Sequence, residues 1–280
     1  MPSSRQTLTC QISQSLWSAI EQQLQNSGES LSHFVESALA NELELSQHSL
    51  FQVSTSRALV EGVLGGCITV EHLKHHGDFG LGTFDQLDGE MMLLDGHCYQ
   101  AVEEGKVHEI EDTATVPFAT VTYFSADSTH TLAAVESLTD LKQQLDACKP
   151  SGNLFAGFRI EGTFRSLSLR ATCKAQPHEK LVEAIERQST FTLENITGTL
   201  VGFWAPSYSS AVSVPGYHFH FIDSSRKLGG HVFDITADTL QARIHLENAI
   251  HVALPETREF LEADLRQDGN EQLKAVETGE

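Results

Sequence analysis

The stretch Val214-Pro-Gly-Tyr-His-Phe-His-Phe-Ile-Asp223, followed by Gly229-Gly-His-Val-Phe-Asp234, constrains this chain more than any other. Tyr217 to Ile222 is aromatic and β-branched, which predicts a strand with side chains alternating between two faces. His218 and His220 then share one face, while Phe219 and Phe221 point the other way into apolar packing. Ser224 to Leu228 is polar and Gly229-Gly230 tolerates positive φ, so a turn follows. An antiparallel return places His231 opposite His220. Three imidazoles on one side of a hairpin match the common protein-side layout of a catalytic zinc, with three ligands fixed and a position left open. Among 14 histidines a lone strand His is more often simply satisfied, but a His-x-His pair facing a third ring across a Gly-Gly turn favours a metal site. The spacing alone does not name the chemistry.

The 280 residues suffice for one large domain with a small appendage. No run approaches the roughly 20 apolar residues that a membrane helix requires, so no membrane partner is expected. Met1-Pro-Ser-Ser-Arg-Gln-Thr7 lacks a basic region followed by an apolar one, which argues against secretion. Cys10, Cys67, Cys98, Cys148 and Cys173 are odd in number and spread without a C-x-x-C, which suits a reducing, cytoplasmic setting. The net charge of −20, from 18 basic and 38 acidic side chains, repels phosphate backbones over most of the surface. An anionic substrate would therefore need a local, buried cation.

Residues 1–47 read as a unit separate from 48–280. Thr7 to Ile12 alternates strictly, with Leu8, Cys10 and Ile12 on one face and Thr7, Thr9 and Gln11 on the other. Ser13 can cap a helix through Gln25 carrying Leu16, Trp17, Ile20 and Leu24. Ser30 can cap a second one carrying Leu31, Phe34, Val35, Ala38, Leu39 and Leu43. This β-α-α pattern resembles the ribbon-helix-helix family, in which two chains pair strands and interlock helices. That resemblance implies a homo-oligomer, at least a dimer. The family's polar strand face reads bases, and Thr7, Thr9 and Gln11 are chemically able to do so. Up to His48, however, Arg5 is the only Lys or Arg against five glutamates, so dimerisation is favoured over DNA binding.

Beyond a junction at Leu45 to Gln52 the pattern is mixed. Helices are expected over 55–64, 69–76, 138–148, 180–188 and 255–265. Gly77 to Glu90 reads as turn-prone, and a hairpin is expected around Asp95-Gly96. Strands are expected over 116–124, 154–160, 166–171, 191–203 and 240–246. The expected fold class is α+β, with mixed or antiparallel sheets and the histidine hairpin, plus the small N-terminal unit.

Two longer stretches carry a second resemblance. Gly77-Asp-Phe-Gly-Leu-Gly-Thr-Phe-Asp-Gln-Leu-Asp-Gly-Glu-Met91 is one; Gly198-Thr-Leu-Val-Gly-Phe203 leading into the histidine hairpin is the other. Together, from about Leu50 to the C-terminus, they closely resemble the α-acetolactate decarboxylases, zinc enzymes that convert 2-acetolactate to acetoin and CO2. The resemblance implies that Zn²⁺ is held by His218, His220 and His231. It places the family's motif threonine and glutamate on Thr83 and Glu90, its arginine on Arg170, and a C-terminal glutamate on Glu277. It also implies an enediolate left by CO2 loss, stabilised by the metal and protonated on one face by a carboxylic acid, Glu90 or Glu277. The N-terminal unit departs from the family.

Two other readings compete. Pro215-Gly-x-His-x-His suggests a cupin-like oxygenase, but the expected ligating glutamate is replaced by Ser224. A ribbon-helix-helix regulator sensing acetolactate would need a basic ribbon, which the sequence lacks.

Overall fold

The computed structural model describes residues 8–27, 31–42, 48–176, 179–185 and 188–266. It divides into two compact units, Met1–Leu45 and Ser46–Glu280.

In the first unit, α1 spans Gln14–Ser27 and α2 spans Leu31–Glu42. Ser13 Oγ accepts the Leu16 N–H at 3.3 Å, the expected cap. Residues 8–13 form no strand in the single chain, and Thr7 and Ser30 lie outside the described residues. A ribbon strand satisfies its backbone only by pairing with another strand, so the alternation alone cannot form one. Leu8, Ile12, Leu16, Leu31, Val35 and Leu39 all present exposed apolar side chains.

The second unit begins with β1 (Ser49–Val53), α3 (Ser56–Val60), β2 (Ile68–Thr69) and α4 (Val70–Lys74). Next come β3 (Phe79–Thr83), β4 (Glu90–Leu94), β5 (His97–Ala101), β6 (Val107–Glu109), β7 (Thr115–Val116), β8 (Phe118–Thr122) and β9 (Ser128–Val135). Then follow α5 (Leu138–Cys148), β10 (Phe155–Ala171), α6 (Leu181–Ile185) and β11 (Ser189–Ala205). The described chain closes with β12 (Gly216–Asp223), β13 (Gly229–Glu247), β14 (Ala249–Ala253) and α7 (Arg258–Glu262). This is an α+β fold with one mixed sheet, one large antiparallel sheet and a two-stranded antiparallel pair, β2–β7. The seven-stranded sheet runs β14-β1-β8-β3-β4-β5-β6, with β1 and β14 parallel. The five-stranded sheet runs β10-β11-β12-β13-β9, and β10 also pairs with β13, so four strands curl closed on themselves.

Several expectations change. Gly77 to Glu90 is not all turn: Phe79–Thr83 is a buried central strand, because Gly80 and Gly82 let the β8 backbone approach where a Cβ would lie 2.4–2.5 Å from a carbonyl oxygen. The strands expected over 154–160 and 166–171 are one strand, and the segment 240–246 continues the return of the histidine hairpin. Strands β1, β2, β6, β9 and β14 lie outside the strand expectations. Helices α3 and α7 shrink to five residues each. The Asp95-Gly96 turn stands, with φ of 54° and 78°.

Apolar residues of both sheets fill the space between them, among them Leu50, Phe79, Leu81 and Met92 from one and Phe155, Val201, Phe203 and Ile222 from the other. A second core under α5 takes in Phe158, Phe164, Phe219 and Phe221. Among the described residues no helix is long and apolar enough to cross a membrane.

Candidate metal centre and its pocket

Glycines decide which way β12 faces. A Cβ at Gly202 would lie 2.1 Å from the Phe219 ring and one at Gly198 2.5 Å from the Phe221 ring. The two phenyl rings therefore lie over bare backbone on β11, which sends His218 and His220 to the opposite face. His220 pairs directly with His231 across β12 and β13.

The three rings converge. His218 Nε2 is 3.2 Å from His220 Nε2 and 3.1 Å from His231 Nδ1. A tetrahedral centre with Zn–N bonds of about 2.0–2.1 Å sets its nitrogens about 3.3 Å apart, so the spacing fits. The proton count fits as well. His220 Nδ1 lies 2.9 Å from the Met91 carbonyl, which can only accept, so Nδ1 carries the hydrogen and Nε2 keeps its lone pair. That Nε2 faces Glu90 Oε2 at 3.3 Å, and among the described residues Glu90 Oε1 has no hydrogen-bond partner. Nitrogen lone pairs and a buried carboxylate thus crowd one point that a single proton cannot satisfy, whereas a divalent cation would. Burial pushes His218 down to about 3 and His220 down to about 4, which holds both rings in the neutral, ligating form.

Arg170 is next to His231 in the β10–β13 register. Its Nε stands 3.9 Å from Glu90 Oε1, its Nη1 donates to Gln188 Oε1 at 3.1 Å, and its guanidinium lies 5.0 Å from the centre of the Phe233 ring. Thr83 and Glu90 face each other across β3 and β4. The Thr83 hydroxyl donates to the Gly89 carbonyl at 2.9 Å, which fixes the backbone just before Glu90 and leaves Thr83 only acceptor capacity towards a ligand. One pocket, open to solvent, is lined by Thr83, Glu90, Arg170, His218 and His220, with Leu59, Leu87, Phe118, Leu181 and Val214 among its apolar walls. Glu277 lies outside the described residues.

Sequence reasoning missed Gln188, Phe233, Thr172 and the apolar wall. Phe233 and Thr172 stand two residues beyond His231 and Arg170, so strand alternation was the available signal for both. Gln188 carried none.

Fold and pocket together define an α+β enzyme whose polar groups come from both sheets, the imidazoles and guanidinium from one and the carboxylate from the other. Comparison with known proteins makes the class particular. The alpha-acetolactate decarboxylase family profile matches residues 50–267. The alpha-acetolactate decarboxylase of Methanosarcina mazei is 43% identical over 229 residues, covering 81% of this chain and 80% of that protein. The Bacillus subtilis strain 168 enzyme is 36% identical over 232 residues, covering 82% and 90%. Its crystal structure superposes with a TM-score of 0.80 at 34% identity, covering 83% of this chain and all of that one. The chain belongs to the alpha-acetolactate decarboxylase family.

Proposed function

We propose that this enzyme decarboxylates 2-acetolactate to acetoin and CO2 with zinc at the His218–His220–His231 trio. The observation that carries the reading is the convergence of three imidazole nitrogens and the Glu90 carboxylate beside a buried guanidinium. Bound there, zinc would supply the Lewis acid that stabilises the oxyanion formed as the departing CO2 leaves its electron pair in the adjacent ketone. The chain's residues do the rest. Arg170, held by Gln188 and the Phe233 ring, pairs with the substrate carboxylate in a chain whose net charge of −20 otherwise repels it. The apolar walls take the methyl groups and exclude water. Glu90, between Arg170 and His220, is placed to hold the proton delivered to one face of the enediolate, and Glu277 is the second carboxylate proposed for that step. Thr83 keeps the Glu90 backbone in place and accepts from the substrate hydroxyl.

Residues 1–47 are proposed to join two chains, since the exposed leucines, isoleucine and valine of that unit need a partner surface and its acidity disfavours DNA. Five free cysteines suit a cytoplasmic site of action. Acetoin and CO2 release from 2-acetolactate, assayed on metal-stripped protein before and after adding zinc, tests the reading. Activity that is equal in both would remove the metal from the mechanism.

A further inference from the structure

We propose that His72 and His76 form a second, peripheral site for imidazole-seeking divalent cations such as Zn²⁺, Ni²⁺ or Cu²⁺. Thr69 caps α4 by accepting the His72 N–H at 3.3 Å, and the helical turn carries on past Lys74, with the His76 N–H bonded to the Leu73 carbonyl at 2.9 Å. Residues four apart on such a turn share one face. The two Nε2 atoms lie 3.2 Å apart with ring centroids at 5.0 Å. In the trio the two nitrogen separations from His218 are 3.1–3.2 Å, and the ring centroids lie 4.9–5.5 Å apart. The pair therefore reproduces the spacing of the candidate centre on the outside of the molecule. Two ring nitrogens facing each other so closely can share one proton or one cation.

Packing fixes half of the pair in advance. The His76 ring lies flat on Phe51, with centroids 3.8 Å apart and planes 3° from parallel. A ligand whose rotamer is already set loses less freedom on binding. Two more imidazoles stand close: His251, opposite Phe51 in the β1–β14 register, lies 6.5 Å from His76, and His75 lies 6.4 Å from His72. None of these four rings lines the pocket beside the trio. The net charge of −20 draws cations to the surface. Neutral imidazole selects the later first-row divalent ions over Mg²⁺ or Ca²⁺. With water completing the coordination, the site holds its ion less tightly than the trio with its neighbouring carboxylate.

Equilibrium dialysis of the untagged full-length chain against ZnCl2 tests this. The expected result is one more bound equivalent in the wild type than in the His72→Gln/His76→Gln double variant, with acetoin formation unchanged between them. An equal number of bound equivalents in the two proteins would overturn the proposal. His72 is exposed, so the single His72→Gln variant keeps the test valid if the double variant is unstable.

Discussion

Two groups of largely buried imidazoles sit in the catalytic unit, and they differ in where their lone pairs point. In the trio, His220 gives its Nδ1 hydrogen to the Met91 carbonyl and turns a bare Nε2 toward His218 and Glu90. In the second group, His48 Nδ1 lies 2.7 Å from the Leu246 carbonyl and His245 Nδ1 lies 2.6 Å from that of Ser125. Both nitrogens must carry hydrogens, because a carbonyl only accepts. Those are the nitrogens nearest Asp127, at 4.0 and 3.6 Å, so they have no lone pair to offer a metal. The other nitrogen of His245 faces Glu247 Oε1 at 3.4 Å, and burial pushes Glu247 up to about 8. A single proton on Glu247 serves that pair. Proximity of histidines is therefore a weaker criterion than hydrogen-bond direction: His220 Nε2 and the Glu90 carboxylate turn acceptors to the trio, whereas the nitrogens nearest Asp127 carry hydrogens.

His220→Ala should abolish both zinc content and CO2 release; retained metal, by elemental analysis, would remove His220 from the ligand set. Arg170→Ala should keep the metal and lose turnover by about 10²–10³-fold, the usual loss for a buried charge-stabilising donor. Normal turnover would free Arg170 from the mechanism. His245→Asn should leave zinc content and turnover near normal while costing roughly 1–3 kcal/mol of stability in a denaturant titration, because buried partners lose their bonds. Loss of the metal in that variant would assign the ion to the His48–His245 group instead of the trio.

Glu247 sharpens the contrast through pH. Its folded value, about 8, lies above its ordinary 4.5, so the folded state holds a proton that the unfolded chain has released. That contribution is whole below about pH 4.5, declines as pH rises and is lost above about 8, with a slope of up to about 1.4 kcal/mol per pH unit. Glu247→Gln should flatten the midpoint-versus-pH curve across that window, and an unchanged curve would contradict the buried proton. The smallest effect on chemistry is expected from deleting residues 1–47. Sedimentation should show a smaller oligomer and the assay near-normal turnover.

Much of the site was legible because it is local. The alternation of β12 fixed which rings share a face, and the polar turn after Asp223 set the His220–His231 register, with Gly229 and Gly230 not in that turn but already paired with Ile222 and Phe221 in β13. Arg170 and Glu90 could be named only by resemblance, since an arginine on an alternating strand and a glutamate after a turn are ordinarily solvated. Burial of both, at 3% and 5% exposure, arises from strands that carry them 80 residues apart in sequence and close over one pocket. The Gly77–Glu90 stretch was misjudged in part for a related reason: Gly80 and Gly82 serve close strand approach, while Gly89, at φ 85°, keeps the expected turn.

The sequence alone determined the hairpin, its faces and the family, because strand periodicity and motif order are properties of neighbouring residues. Only the tertiary structure decided that Met91 sets the His220 tautomer, that Gln188 holds Arg170, and that His48 and His245 spend their hydrogens on carbonyls. Each is a contact between distant segments, and hydrogen-bond direction, unlike residue type, exists only once the partner is in place.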